Sequence, residues 1–202
     1  MPRAVRFYEE NSFRYQVPEQ TRMLSASVDV QGGVNARFVV QLHAVGVHME
    51  QWLVDRFEIK HSKRPGMGSE FAPIDPASFP EDWDVLTDKL LDATWKTPNP
   101  NREIKSRMLT VDTGGEDGVT HNAYAWYRRV RKAGHAHRVT LYKGASEPKA
   151  PIIRETLVSG RKGTKGDIPL LICNPNLLSD MVAAGLRRTT PGPGFYHFPQ
   201  PK

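Results

Sequence analysis

The chain has 202 residues, of which 39% are hydrophobic and 25% charged, with a formal net charge of +6 and a single cysteine, Cys173. This composition is typical of a globular domain, and one cysteine excludes an intrachain disulfide and a cysteine-rich zinc site. No apolar stretch approaches the length of a membrane span, and the first residues lack the apolar segment of a signal peptide. A lone cysteine fits a reducing cytoplasm.

Positive charge is concentrated in the second half of the chain. Residues 128–202 hold 14 Lys and Arg against 4 Asp and Glu, whereas residues 70–117 hold 11 acidic and 5 basic residues. A polyanion such as nucleic acid would therefore be attracted mainly to the second half. Charge alone leaves an ordinary basic enzyme equally open.

The chain begins with a segment of no clear period and continues with three strand patterns. Residues 1–20 are predicted to be a lead-in segment or linker, and residues 21–202 a single domain. Apolar and β-branched residues then alternate over 23–30, 37–45 and 49–59, with glycine-containing turns between the runs. This spacing predicts an antiparallel meander.

Helices and strands alternate after the meander. Residues 60–78 contain three prolines and are predicted to be a loop. The following periodicities predict a helix opened by Ser78 or Pro80, a strand at 108–112, a helix at about 120–132 and a strand at 138–142. The strand, helix, strand order is typical of a parallel βαβ unit.

The last part of the chain predicts a hairpin and one more helix. Two apolar runs within 152–172 flank the basic tip SGRKGTKGD. Asn176 is then predicted to cap a helix that has one apolar face. The final residues are rich in Pro and Gly and show no period. The order of elements predicts an α/β fold of the ribonuclease H type, a mixed central sheet with flanking helices. The apolar helix face consists of Leu177, Leu178, Met181, Val182 and Leu186.

Two strand patterns carry an aspartate near the carboxyl end and are followed by a pair of glycines. MLSASVDVQGG places Asp29 near the end of the first strand, and RMLTVDTGG places Asp112 at the end of a later strand. If these strands are neighbours, the carboxylates can share a divalent cation, which prefers hard oxygen ligands. The alternative is turn chemistry, because Asp, Thr and Gly are ordinary turn residues.

A two-metal nuclease needs further ligands, normally a third acid. Asp180 is the candidate that we assign to catalysis, because it lies on the helix that follows a predicted strand and can project back toward the sheet. The alternative for Asp180 is compensation of the helix dipole. The other candidate acids are Asp55, Glu58, Glu116 and Asp117.

Basic residues suited to DNA phosphates occur in the hairpin tip. Arg161, Lys162 and Lys165 are spaced by glycines, which allow a flexible tip to follow a duplex. The alternative is a solvated tip that contacts nothing. The tip lacks the spacing of a Walker A loop, so ATP hydrolysis by this chain is not expected.

Several motifs occur together in a fixed order, and in this the chain resembles the carboxyl-terminal nuclease domain of the lambda-type large terminase subunit of tailed bacteriophages. The resemblance extends over nearly the whole chain. The motifs are VP at 17–18, LSASVDVQ at 24–31, WLVD at 52–55, DTGG at 112–115, KGAS at 143–146 and PG through HFP at 191–199.

This resemblance implies a ribonuclease H-like endonuclease that uses Mg²⁺ or Mn²⁺ and cuts concatemeric viral DNA during genome packaging. Asp29 and Asp112 match the family's first two metal-binding acids, and Lys143 of the KGAS turn is assigned with the basic tip to DNA binding. The implied partners are double-stranded viral DNA, the terminase small subunit, the ATPase motor and the portal, in the host cytoplasm. No membrane is implied.

The chain departs from the family in two respects. It carries no ATPase motor, and it lacks the late N-E-x-L-D segment that supplies the family's third acid, so we expect a C-terminal element to be missing. Two alternatives therefore stay open. One is a catalytically incomplete module that binds DNA or a packaging partner, and the other is a resolvase-like nuclease.

Overall fold

The computed structural model describes residues 15–68, 70–159 and 165–199, which form an α/β fold. The strands are β1 Met23–Gln31, β2 Arg37–Val45, β3 Gln51–Ile59, β4 His61–Pro65, β5 Phe71–Pro73, β6 Thr94–Lys96, β7 Glu103–Asp112, β8 Val139–Gly144, β9 Ile153–Val158, β10 Ile168–Cys173 and β11 Tyr196–His197. The helices are α1 Asp84–Leu86, α2 Val119–Lys132 and α3 Pro175–Leu186, and α1 lies between a 3₁₀ turn, Pro80–Trp83, and a π turn, Thr87–Leu91.

Nine of the strands in the described ranges form one mixed sheet. Its order is β11-β3-β2-β1-β7-β8-β10-β9, and β6 pairs with β7 beside this path. β1, β2 and β3 are antiparallel neighbours, whereas β1, β7, β8 and β10 are mutually parallel. The predicted meander and βαβ unit are thus confirmed, and with them the mixed sheet and flanking helices of a ribonuclease H-like α/β fold.

The main core lies on one face of this sheet. Alternate residues of β1, namely Leu24, Ala26 and Val28, are fully buried, as the period of two requires. The apolar side of α2, which includes Trp126, belongs to the same buried cluster, and Trp126 lies 6.1 Å from Trp83 between ring centroids. All three helical turns between Pro80 and Leu91 contribute to this face.

One end of α2 is held by the loop between β5 and the 3₁₀ turn Pro80–Trp83, and the other by the hairpin of β9 and β10. Asn122 donates from Nδ2 to the carbonyl oxygens of Pro76 and Ala77, at 3.0 and 2.8 Å. Near the other end, Arg128 and Arg131 both contact the carboxylate of Asp167, at 2.9 Å each. This Asp167 clamp joins α2 to the start of β10.

Several sequence predictions were wrong in their details. Residues 60–78 are not all loop, because β4 and β5 pair as a separate two-stranded sheet. Pro65 and Pro73 stand at the ends of these short strands, where a missing N–H is tolerated. The strands β6 and β11 were also missed, since strands of two or three residues carry no period.

The final helix differs most from its prediction. Its N-cap is Asn174, whose side chain accepts from the backbone N–H groups of Asn176 and Leu177, so Asn176 is not the cap. The predicted apolar face does not form a core contact as a whole, because α3 makes only shallow contact with the rest of the fold. Four of its residues are exposed: Leu177, Met181, Val182 and Leu186.

The end of the described chain returns to β3. His197 stacks on Trp52 with ring centroids 4.6 Å apart, and its Nε2 lies 2.8 Å from Glu50 Oε1. Near the other end, Val17 is fully buried in the core cluster. The proposed division between residues 20 and 21 remains a prediction.

No helix within the described ranges has both the length and the apolar composition needed to cross a membrane.

Candidate functional site

Asp29 and Asp112 lie side by side at one edge of the sheet. Val28 and Val111 are register partners in the parallel pair of β1 and β7, and both are fully buried. Asp29 and Asp112 are the next residue on each strand, so both side chains project from the opposite face of the sheet. Parallel neighbours are about 4.8 Å apart. The fold therefore places the two carboxyl groups as neighbours.

Local contacts orient each carboxylate. The exposed Asp29 accepts a hydrogen bond at Oδ2 from Gln31 Nε2, at 2.7 Å. The half-buried Asp112 accepts at Oδ1 from the backbone N–H of Gly114, at 2.8 Å. Asp112 thus does make the turn contact that the alternative interpretation requires. Turn formation explains Gly114, but it does not explain a second carboxylate on the adjacent strand.

Among the described residues, no Lys, Arg or His side chain neutralises the charge of this pair. Within residues 15–68, 70–159 and 165–199, neither Asp29 nor Asp112 forms a salt bridge with Lys, Arg or His. Two like charges on adjacent strands repel each other unless a cation lies between them. Carboxylate oxygens are the ligands that Mg²⁺ and Mn²⁺ prefer. The donor set therefore fits a divalent ion.

The strands next to β7 add two further groups to this edge. Tyr142 of β8 is the register partner of Asp112. On the next strand, β10, Leu171 is the register partner of Tyr142, and Cys173 is the last residue. Burial, Asp112 and Asp29 together raise the pKa of Tyr142 to about 12. Burial and the nearby Asp112 also raise the pKa of the Cys173 thiol. The register places Tyr142 beside Asp112 on the same face of the sheet.

The loops that follow the two acid-bearing strands contact each other. The loop after β1 contains Gly32, and the loop after β7 contains Glu116. A Cβ atom on Gly32 would lie 2.9 Å from both Cδ and Oε1 of Glu116. Gly32 therefore leaves the space that the Glu116 carboxylate occupies, and sequence reasoning missed this contact because it joins loops 84 residues apart.

The other acids considered from the sequence are not grouped with the pair. Asp180 is exposed on α3, and Asp117 lines the pocket described below. Glu58 contacts Lys60 and Arg37. The contact with Lys60 has the larger effect, and both contacts lower the pKa of Glu58. In the part of the chain that the structure describes, no set of three His, Cys, Asp or Glu side chains is arranged to hold a metal ion.

A polar pocket of about 320 Å³ lies beside the DTGG loop. Lys143, His121 and Ser159 contribute to its lining, together with Glu116 and Asp117. Lys143 is exposed and points from the sheet face opposite to Tyr142, since the two residues are consecutive on β8. Lys143 therefore lies at the same edge of the sheet as the acid pair, although its side chain projects from the other face.

Only part of the basic tip belongs to the described residues. Lys165 is exposed, whereas Arg161 and Lys162 lie outside the described residues. The tip connects β9 and β10, which pair antiparallel as predicted for a hairpin.

The described residues thus form a ribonuclease H-like sheet with two acids near the ends of adjacent strands. The chain matches the family of the terminase large subunit gpA endonuclease domain over residues 3–202, and it belongs to that family. Neither the curated proteins nor the solved structures compared with the chain gave a match. The family gives the chain a terminase nuclease role in DNA packaging.

Proposed function

We propose that the chain is a divalent-metal-dependent endonuclease that cuts concatemeric viral DNA during genome packaging. The observation that carries this proposal is the adjacent pair Asp29 and Asp112, which has no cationic side chain to neutralise it in the described ranges. A purely structural pair of this kind would destabilise the sheet edge through like-charge repulsion. A bound cation removes that repulsion.

Asp29 and Asp112 would hold Mg²⁺ or Mn²⁺ through their carboxylate oxygens. When bound, the ion supplies a Lewis acid for the phosphodiester and lowers the pKa of a coordinated water. Gln31 and the Gly114 N–H fix the orientation of the two carboxylates, which reduces the reorganisation needed to bind the ion. The strand ends provide a rigid base for this geometry.

Asp180 remains our proposed third acid. It lies on α3, which begins two residues after Cys173, and Cys173 is close enough to Asp112 for that carboxylate to raise its pKa. The helix thus starts beside the acid pair. Movement of α3, which makes shallow contacts with the fold, would be needed to bring Asp180 to a shared ion.

DNA would be held by Lys143 and by the three basic residues of the tip between β9 and β10. Lys143 and Lys165 are exposed, and with Arg161 and Lys162 they would contact phosphates rather than bases. In the assembly the substrate would be double-stranded viral DNA in the host cytoplasm. The terminase small subunit, an ATPase motor and the portal would be the protein partners.

The test compares Mn²⁺-dependent plasmid nicking by the wild-type chain, Asp29→Asn and Asp112→Asn. Each variant keeps the size of the side chain and removes its charge, so nicking should be abolished while the circular dichroism spectrum stays unchanged. The matched control is Asp92→Asn, because Asp92 is an exposed acid near the other end of β7. Its neighbour Leu91 and Ser106, in the first half of β7, both accept from the guanidinium of Arg138. Full nicking by Asp29→Asn would reject the proposal.

A second function is favoured by one observation, the lack of a third metal-binding side chain near the pair among the described residues. The chain would then bind DNA or a packaging partner without cutting. This alternative is supported if the wild-type protein binds duplex DNA with a steep salt dependence but never nicks it with Mg²⁺, Mn²⁺ or Co²⁺.

A further inference from the structure

Tyr142 is the group beside the acid pair that the proposed chemistry does not yet use. It is the register partner of Asp112 in the parallel pair of β7 and β8. Leu141, one residue earlier, is fully buried against the core, so Tyr142 projects from the face that carries Asp29 and Asp112. The sheet edge therefore presents Asp29, Asp112 and Tyr142 from three consecutive strands.

Tyr142 does not behave as a core tyrosine. Tyr124 and Tyr127 of α2 are 6% and 4% exposed and belong to the core cluster, whereas Tyr142 is only half-buried and lies outside that cluster. In the described part of the chain its hydroxyl forms no hydrogen bond, although the Tyr142 carbonyl accepts from Thr113. The hydroxyl is thus available to a ligand.

The side chain of tyrosine is longer than that of aspartate. On this face of the sheet, the Tyr142 hydroxyl can therefore reach farther from its strand than each carboxylate reaches from its own. A tyrosine hydroxyl is also neutral at physiological pH, because a phenol ordinarily titrates near pH ~10. A neutral donor binds an anionic oxygen without competing with a cation for the acid pair, which a lysine at this position would do.

We propose that the Tyr142 hydroxyl donates a hydrogen bond to a non-bridging oxygen of the DNA phosphate that is cut at Asp29 and Asp112. This assignment rests on the proposed nuclease function. The bond orients the phosphate and stabilises the charge that develops on it during cleavage. Tyr142 is then a substrate-contacting residue, and it neither holds the metal ion nor transfers a proton.

The test uses Tyr142→Phe, which keeps the ring and removes only the hydroxyl. Its matched control is Tyr127→Phe, which removes a hydroxyl from a buried tyrosine on the core side of the sheet. Single-turnover nicking of plasmid DNA with Mn²⁺ is measured for both variants, together with DNA affinity in Ca²⁺ and the thermal unfolding midpoint. We expect Tyr142→Phe to slow nicking by about tenfold to a hundredfold, with DNA affinity changed less than about threefold.

A second measurement reports the placement of Tyr142 without any cleavage. Tb³⁺ takes hard oxygen ligands and luminesces when a nearby phenol absorbs light and transfers the energy to it. Tb³⁺ bound by the wild-type chain should luminesce on excitation of tyrosine. Tyr142→Phe should lose most of this signal, Tyr127→Phe should keep it, and Asp29→Asn should lose Tb³⁺ binding itself.

The outcomes separate this assignment from the proposed function. If the wild-type chain nicks DNA and Tyr142→Phe nicks at the same rate, the assignment of Tyr142 is wrong while the nuclease function stands. A loss of nicking together with a lowered unfolding midpoint and a normal Tb³⁺ signal would also overturn it, because the effect would be structural. If the wild-type chain neither binds Tb³⁺ nor nicks DNA, both proposals fail.

Discussion

Glu116 of the loop after β7 lies directly against Gly32 of the loop after β1. A Cβ atom on Gly32 would be 2.9 Å from the Glu116 Cδ and Oε1 atoms. The contact joins the loops that follow the two acid-bearing strands, so it holds a further negative charge between those loops. It also gives a means of changing the site without changing either aspartate.

Gly32→Ala should change the site more than it changes stability. Gly32 has φ −96° and ψ −170°, a backbone conformation open to alanine, and the atoms it would meet belong to the flexible end of Glu116. We expect the free energy of unfolding to stay within about 1 kcal/mol of wild type. Displacement of Glu116 should weaken Mn²⁺ binding about twofold to tenfold, as measured by titration calorimetry.

Gly118→Ala, in the loop after β7 that also contains Glu116, is the contrasting control. Gly118 has φ +98°, and its added Cβ would lie 2.5 Å from the backbone oxygen of Ala77. Neither atom can move cheaply, so urea unfolding should show a loss of about 2 kcal/mol or more. Equal effects of the two substitutions on stability would contradict the role given to Gly32.

Lys143→Ala should weaken DNA binding without sequence preference. Lys143 is exposed at the sheet edge that carries the acid pair. Loss of one phosphate contact should lower the slope of log affinity against log salt by about 1. The measurement is duplex binding by fluorescence anisotropy in Ca²⁺ at several KCl concentrations. Lys89→Ala, an exposed lysine of the turn Thr87–Leu91, should leave the slope unchanged.

Two aspartates of the helical segment should differ strongly in their effect on stability. Asp82 is fully buried and accepts from Arg64 Nε at 2.6 Å and from the Asp75 N–H at 2.7 Å. Asp82→Ala leaves both donors without this acceptor, so urea unfolding should show a loss of about 3 to 5 kcal/mol. Asp84 forms an exposed pair with Arg129, and Asp84→Ala should lose about 1 kcal/mol or less.

The Asp167 clamp should contribute to stability only above acidic pH. Hydrogen bonds from Arg128, and then from Arg131, lower the pKa of Asp167 to about 2, whereas an unfolded aspartate titrates near pH ~3.9. Because the folded pKa is the lower one, the contribution is complete above about pH 5 and is lost as the pH falls toward 2.

Urea unfolding of wild type and Asp167→Asn between pH 2 and 7 checks this expectation. The difference in the free energy of unfolding should be constant above about pH 5 and should disappear near pH 2. High salt should reduce the difference at pH 7, because the clamp is partly exposed. A difference that persists at pH 2 would show that Asp167 stabilises the fold by other means than its charge.

Strong local patterns were sufficient for much of the fold. The period of two in β2 predicted its bounds, Arg37–Val45, and the apolar face of α2 predicted that helix to within one residue. The short strands were not predicted, because two or three residues are too few to show an alternation of apolar and polar side chains. The cap of α3 was misplaced by two residues, since Asn174 and Asn176 are both suitable caps and only the backbone conformation distinguishes them.

The sequence by itself determined that two apolar strands each end in an aspartate followed by glycines, because that pattern is local. Only the tertiary structure decided that β1 and β7 are parallel neighbours, which makes Asp29 and Asp112 a pair although 83 positions separate them. It also decided that Tyr142 joins them, and that most of the apolar side of α3 is exposed. Strand order and register depend on contacts between distant segments, and the periodicity of a single segment carries no information about its neighbour.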